Sequence, residues 1–417
     1  MNDFPARAWS DEDSSSGTAS RVLGWGAFLA CSWTWCIGMF LPVLLIRDLG
    51  WGGYVAFALP NIVGAAVFGV TLARPGASAR FIEAHRTMIW AFSVVTIAFQ
   101  AYFVGVLIQP SPMRMEQVAV LLGTVVVAIG IHSLNGKPAL LRLASIACWV
   151  ISAALMIIAA RTGHEGPPAA IAQAAPHKLE LSGLGLVCAL GFAFCPYLDR
   201  TFHEARMRLP GNPGTIAFIL GFCVLFATMI AFTVLYARDG TFAAIPADGT
   251  RGLPLGISLA PVVLAHLATQ LGFTIGAHIP WAVAEAPKDM PTDAPARARL
   301  WTLAPCLAGL LISVVAIGAK GLYGLGGFEL AYRGFMAFYG LVFPAYVWLC
   351  ATPLGESSKP TTRMLRVWIA AMAIATPFYW VGFMQLRYEW LIPGVAIVAL
   401  SKLFAGRPSA QTAPTGG

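Results

Sequence analysis

Four polar residues recur at every fourth position of an otherwise apolar stretch, PVVLAHLATQLGFTIGAHIPW: His266, Gln270, Thr274 and His278. That spacing puts them on one slowly drifting stripe of a helix. An imidazole titrates near neutral pH, so His266 is a candidate proton carrier, with Gln270 holding one ring nitrogen and leaving the other free. Two other chemistries fit the same stretch. Thr269 or Thr274 would help ligate a sodium ion, and His266 with His278 would hold haem or a metal in a membrane enzyme. A plain seam of interhelical hydrogen bonds also accounts for the stripe.

A second set of candidates is aromatic. Trp33-Thr34-Trp35-Cys36 is echoed by Phe192-Ala193-Phe194-Cys195, and helix breakers follow each, Gly38 and Pro42 after the first and Pro196 after the second. Proline removes a backbone donor and clashes with the preceding turn. In lipid, the carbonyls freed there need a partner. Interrupted helices of this kind supply the backbone dipoles of solute and ion sites in secondary transporters. The candidate solute-binding residues are therefore Ser32, Trp33, Thr34, Trp35 and Cys36 on the first helix, and Phe194, Cys195, Pro196 and Tyr197 on the second. Gln100, one turn from Thr96, joins them from a third. Aromatic faces and free dipoles suit a small neutral, zwitterionic or cationic organic solute. Asp199 and Arg200 follow the second break and either pair with each other or gate the inner side. Asn61, after Pro60, is read as a cap on the backbone that the proline frees. Glu329 and Arg333 are an i,i+4 pair whose long side chains snorkel to the outer surface.

The elements that carry these residues must lie in lipid. Of 417 residues, 58% are hydrophobic and 11% charged, against about 25% charged in soluble domains, and the mean hydropathy is +0.72. A spanning helix needs about 20 mostly apolar residues. About twelve stretches qualify: 22–46, 52–73, 87–109, 115–133, 140–160, 181–205, 214–237, 257–282, 300–319, 329–350, 364–386 and 389–405. Lys and Arg gather on the cytoplasmic side of a membrane. Alternate connections together with both termini hold 18 of the 27 basic residues, and the opposite connections hold 9. Both ends of the chain are therefore expected in the cytoplasm, beneath a plasma (inner) membrane. The formal charge of +8 then reads as attraction to anionic lipid, not to nucleic acid. All eight cysteines fall in apolar stretches without a Cys-x-x-Cys pair and read as small core residues. Residues 1–20 are polar, acidic and Ser-rich, with no apolar leader region, and read as a disordered cytoplasmic tail that stays where it is made; 406–417 is a second tail. The outer connection 238–256 is rich in Gly, Pro and Thr and is either a lid or a plain loop.

Five spans separate the two interrupted helices, so one enters from the inside and the other from the outside, as an inverted repeat requires. The expected fold class is an all-α polytopic membrane protein. It has a first five-helix repeat over 21–160, a second over 181–350, and two peripheral helices over 364–405. In this layout the chain resembles the amino acid–polyamine–organocation superfamily, whose fold is known from the leucine transporter LeuT, and within it the sodium:solute symporters. The resemblance is carried by Ser32–Gly38, by Phe194–Tyr197, and by Arg200-Thr-Phe-His-Glu-Ala-Arg206, which is similar to the Arg-x-x-x-Ala-basic exit from symporter helix 6. The loop 238–256 falls where that family has its outer lid. The likeness covers about the first ten spans, and it implies ion-coupled alternating access with helix 8 facing helix 1. Sodium-coupled members carry adjacent hydroxyl residues on helix 8, whereas Thr269 and Thr274 are five apart here. The coupling ion is thus left open between proton and sodium, and no other cofactor is called for.

The sequence contains no His-Glu-x-x-His, P-loop, Gly-x-Ser-x-Gly or dinucleotide-binding glycine pattern. Residues 73–86 lack the basic motif of the major facilitators. A secondary transporter, not an enzyme, is the reading these features favour. Its alternatives are a major-facilitator-type transporter, a non-transporting sensor or assembly subunit, and the membrane enzyme built on His266 and His278.

Overall fold

Apolar side chains outnumber the places a protein core has for them, and the surplus stands outside. Leu303, Leu307, Leu311 and Val315 are exposed at four-residue spacing along one helix, and Leu122, Val126 and Ile129 along another. Water would not wet such stripes; lipid does.

The computed structural model describes residues 17–108, 115–162, 176–238, 260–287, 293–354 and 358–406. The candidate lid beyond residue 238 and most of both tails lie outside the described residues. Thr18–Ser20, read from the sequence as tail, open the first helix instead. The helices are α1 (Thr18–Trp33), α2 (Cys36–Thr71), α3 (Ala77–Leu107), α4 (Met115–Ser133), α5 (Pro138–Thr162), α6 (Lys178–Phe194) and α7 (Arg200–Arg208). There follow α8 (Asn212–Leu220), α9 (Ala227–Arg238), α10 (Ala260–Ala284), α11 (Ala294–Gly318), α12 (Gly327–Tyr346), α13 (Thr362–Met384) and α14 (Leu391–Ala405). A 3-10 turn, Cys195–Leu198, lies between α6 and α7, and a π-helical segment, Gly221–Phe226, joins α8 to α9.

Among the described residues, 11 helices are long and apolar enough to cross a membrane. The sequence suggested about twelve spans, and a single junction explains the difference. α2 has 36 residues, about 54 Å of helix, far more than the roughly 30 Å hydrocarbon core. It is interrupted at Gly50, at φ 60° and ψ −152°, a conformation that glycine adopts readily. The chain folds back there. A straight helix would hold Trp33 and Asn61 about 42 Å apart, yet they share a 2.8 Å hydrogen bond. Cys36–Leu49 therefore completes the span that α1 begins, and 51–71 is the next one.

The spans sort into two packed groups. α3, α4, α10 and α11 pack on one another, while α1, α2, α6 and the α8–α9 rod form the second group. Within the second group the backbones come close, since a Cβ placed on Gly221 would lie 2.8 Å from the carbonyl oxygen of Gly26. α12 packs on α6 and α13, and α13 and α14 lie together at the periphery. The functional candidates sit where the two groups meet.

Candidate functional site

α1 stops at Trp33, and Thr34 and Trp35 are not helical before α2 starts at Cys36. The sequence pointed to Gly38 and Pro42 for this break, but Pro42 lies inside α2. Side chains stand in for helical partners at the true break. Thr34 Oγ1 donates to Ala30 O at 2.7 Å and Trp35 Nε1 to Ser32 O at 2.6 Å. Cys36 N donates to Gln100 Oε1 of α3 at 3.1 Å, and Tyr332 OH of α12 donates to Cys36 O at 2.9 Å. The second break falls where the sequence put it. α6 ends at Phe194, the 3-10 turn opens with Pro196 in its first positions, and Asp199 is extended. Asp199 Oδ1 then caps α7, accepting from Thr201 N at 2.8 Å and Thr201 Oγ1 at 2.7 Å. The breaks touch: Thr201 Oγ1 is 3.1 Å from Ser32 Oγ, and the Trp33 and Phe202 rings are 4.9 Å apart.

Beside the breaks is a cavity of about 60 Å³, lined by Trp33, Trp35, Gly38, Leu41, Phe57, Asn61, Cys188, Cys195, Met336 and Tyr339, with further apolar groups that include Phe192 and Phe383. Its polar lining groups are engaged with their neighbours: Asn61 Oδ1 accepts from Trp33 Nε1, and Tyr339 OH bonds Thr96 Oγ1 at 2.9 Å. Among the described residues, no charged side chain lines it.

Of the candidate solute residues, Trp33, Trp35 and Cys195 reach this cavity. Ser32, Thr34, Cys36, Gln100 and Pro196 build the breaks behind it. Phe194 turns away, its ring 5.6 Å from that of Trp348. Tyr197 turns away too, its hydroxyl sharing a 2.6 Å hydrogen bond with Thr71 Oγ1. The aromatic echo is therefore not a structural equivalence, because its first copy straddles a break and its second precedes one. Asn61, read from sequence as a backbone cap, lines the cavity and fixes Trp33. The available signal was an amide at membrane depth.

The stripe on α10 divides. His266 Nδ1 lies 2.9 Å from Ser152 Oγ of α5, and Gln270 Nε2 donates to the same hydroxyl at 2.8 Å. These two form a seam with α5. Thr269 donates to Ala265 O of its own helix at 2.8 Å. Thr274 Oγ1 comes within 3.5 Å of Cys31 O, in the last turn of α1. His278 is the histidine at the site, with Nε2 3.7 Å from Asp199 Oδ2 and its ring 6.0 Å from that of Trp35. His266 and His278 are about 18 Å apart along the helix and cannot share a metal. Among the described residues, no group of three or more His, Cys, Asp or Glu could hold one.

Two sets of charged residues lie beyond the lining, one on either side along the chain. At the Gly50 end, Arg47 holds Glu329 with both terminal nitrogens, at 2.6 and 3.1 Å, and donates through Nε to Asp48 at 2.9 Å. Arg333 donates to Glu329 at 2.8 Å, to Tyr388 OH at 2.8 Å and to Asp48. The sequence reading had Glu329 and Arg333 snorkelling, but Arg333 has 0% exposure, so the pair is a buried tie between the first span, α12 and the approach to α14. At the opposite end, Asp199 and Arg200 do not pair. Arg200 Nη1 is 3.3 Å from Glu204, its Nε is 3.8 Å from Glu285, and its guanidinium stacks 3.9 Å over the Trp281 ring. Arg86 joins Glu285 at 2.8 Å and Arg208 joins Glu204 at 2.7 Å.

No family model and no curated protein sequence matches this chain. Among solved structures, a Na+-coupled sialic acid symporter in a substrate-bound outward-open state is similar over 95% of this chain and 92% of that one, with a TM-score of 0.56 and 11% identity. MhsT in complex with L-phenylalanine is similar over 91% of this chain and 98% of its own, with a TM-score of 0.50 and 14% identity. The likeness is one of fold. The chain is an all-α polytopic membrane protein of LeuT type.

Proposed function

We propose that this protein is a secondary transporter that moves a small organic solute across the membrane by alternating access, coupled to an ion. The observation that carries this reading is the cavity beside two helix breaks, with a separate set of buried ion pairs beyond it on either side. A solute held there leaves only if one set opens, and it crosses only if the two open in turn. A Na+-coupled sialic acid symporter and MhsT bound to L-phenylalanine share the fold, which adds weight. On the distribution of Lys and Arg, the Gly50 end faces outward and both termini face the cytoplasm. The bodies that rock against each other are the two packed groups, α3, α4, α10 and α11 against α1, α2, α6 and the α8–α9 rod, each drawing helices from both repeats, 21–160 and 181–350.

The lining narrows the solute. Trp33, Trp35, Phe57 and Tyr339 offer flat apolar faces and no countercharge, so an aromatic or aliphatic body fits best. A neutral solute enters directly, a zwitterion would be held by the helix-break dipoles, and a cation by the indole faces. The test is a thermal-shift screen of purified protein against small neutral, zwitterionic and cationic metabolites, followed by uptake of hits into proteoliposomes. A hit that stabilises the wild type but not Asn61→Leu, and that is taken up, supports the reading. A correctly folded protein that is neither stabilised by nor permeable to any of them overturns it.

A further inference from the structure

Asp199 and His278 both have 0% exposure. Asp199 Oδ1 is engaged by Thr201, whereas Oδ2 has no hydrogen-bond partner and points at His278 Nε2, which has none either, across 3.7 Å. The other ring nitrogen of His278 lies 3.3 Å from Ser93 Oγ of α3. Among the described residues, no Lys or Arg pairs with the carboxylate. Arg200, the next residue, is drawn to Glu204, Glu285 and Trp281. From α3, His85 Nδ1 is spent on Tyr346 OH at 3.0 Å. From α7, His203 Nε2 is spent on Tyr197 O at 2.9 Å. From α10, Glu285 is held by Arg86. Ser32, the Tyr339 hydroxyl, which is bonded to Thr96, and the Cys195 thiol, which donates to Tyr339 O, complete the surroundings.

We infer that Asp199 and His278 together form a binding site for one proton, and that this proton is the coupling ion of the transport proposed above. The inference rests on that reading for its purpose but not for its chemistry. A buried carboxylate with no countercharge and one oxygen unbonded is costly. One proton on Asp199 Oδ2 removes the cost, and His278 Nε2 is placed to accept a hydrogen bond from it. Zero protons leave a net negative charge and two leave a net positive one, so the closed form favours a single proton. The 3.7 Å gap exceeds a hydrogen bond, about 2.6–3.2 Å, by an amount that a small rotation of His278 spans. Hydronium reaching the site from the Gly50 end gives its proton to Oδ2 and is left as water. Water arriving from the Arg200 end takes it up as hydronium, and the carboxylate is regenerated. The site also senses the cavity, because the Trp35 ring lines the cavity on one face and meets the His278 ring edge-on.

The test needs no solute. Infrared pH-difference spectra and potentiometric titration of the purified full-length protein read the proton directly. The expected result is a protonated-carboxyl band that disappears on raising the pH and is missing in Asp199→Asn, with one proton fewer released. In His278→Gln the band persists but titrates at a different pH. If Asp199→Asn fails to fold, Asp199→Glu serves instead and must move the midpoint. The inference is overturned if Asp199→Asn removes no band, or if His278→Gln leaves the midpoint unmoved. It is equally overturned if sodium at fixed pH stabilises the wild type but not Asp199→Asn without any proton being displaced. A proton site found in a protein that carries no solute would defeat the transporter reading and leave the site standing. Uptake without the band would do the reverse.

Discussion

Glu329→Gln is the substitution whose effect follows most directly from geometry. The lock at the Gly50 end contains two guanidinium groups, Arg47 and Arg333, and two carboxylates, Asp48 and Glu329. Its charges cancel. The amide keeps the shape and removes one negative charge, leaving an uncompensated guanidinium charge inside the protein. Breaking a buried ion pair from one side costs about 3–5 kcal/mol. The Arg47 side chain keeps 17% exposure, so the lower figure applies. Opening that end brings water to the stranded charge, so the cost falls on the closed form alone. At about 1.4 kcal/mol per tenfold, a 3 kcal/mol penalty shifts the closed-to-open balance by roughly a hundredfold. Two native thiols report it, since Cys188 and Cys195 line the cavity and are free. The assay is the rate at which a membrane-impermeant thiol reagent, applied from the Gly50 side, modifies them. It is run in a Cys223→Ser background because Cys223 is exposed. The rate should rise by up to about a hundredfold in Glu329→Gln, following that shift. A folded variant whose rate stays within a few-fold of the parent would refute the idea that these charges hold the end closed.

Asn61→Leu strands the buried Trp33 indole N–H and should lower stability by about 1–3 kcal/mol, read as thermal unfolding of purified protein; an unchanged midpoint would mean the 2.8 Å bond contributes little. Gly50→Ala forces a Cβ into φ 60° and ψ −152° and should cost about 1–3 kcal/mol, so a variant as stable as its parent would show that the fold-back is made some other way. A reporter after residue 417 or within 288–299 should sit on the side of the membrane opposite to one within 238–256. Finding all three together would sink the span count.

Much of the architecture was legible because it depends on local pattern. Apolar length and the alternation of Lys and Arg located the spans, and Pro196 located the second break because a proline acts on its own turn. The first break was missed for the converse reason. It is held by Gln100 and Tyr332 from two other helices, partners that no local reading of residues 33–36 contains. Pro42 looked like a breaker and is accommodated within α2. The α10 stripe was correct as a stripe, but its four residues face different partners: Ser152 of α5 for His266 and Gln270, Cys31 of α1 for Thr274, and Ser93 of α3 for His278. A four-residue period drifts around the helix, and only packing decides which end meets the breaks. Arg333 looked like a surface residue because its countercharge, Asp48, is 285 positions away.

The fold-back at Gly50 carries a mechanical consequence. Ordinary neighbouring spans are joined by a loop with slack, so either can tilt without dragging the other. Here a single non-helical residue separates the end of the first span from the start of the second, and the pair behaves as a jointed arm with no play at the elbow. Any swing of Cys36–Leu49 that frees Arg47 from Glu329 must turn the helix that carries Phe57 and Asn61 at the same moment. Opening the gate and reshaping one wall of the cavity are then one movement.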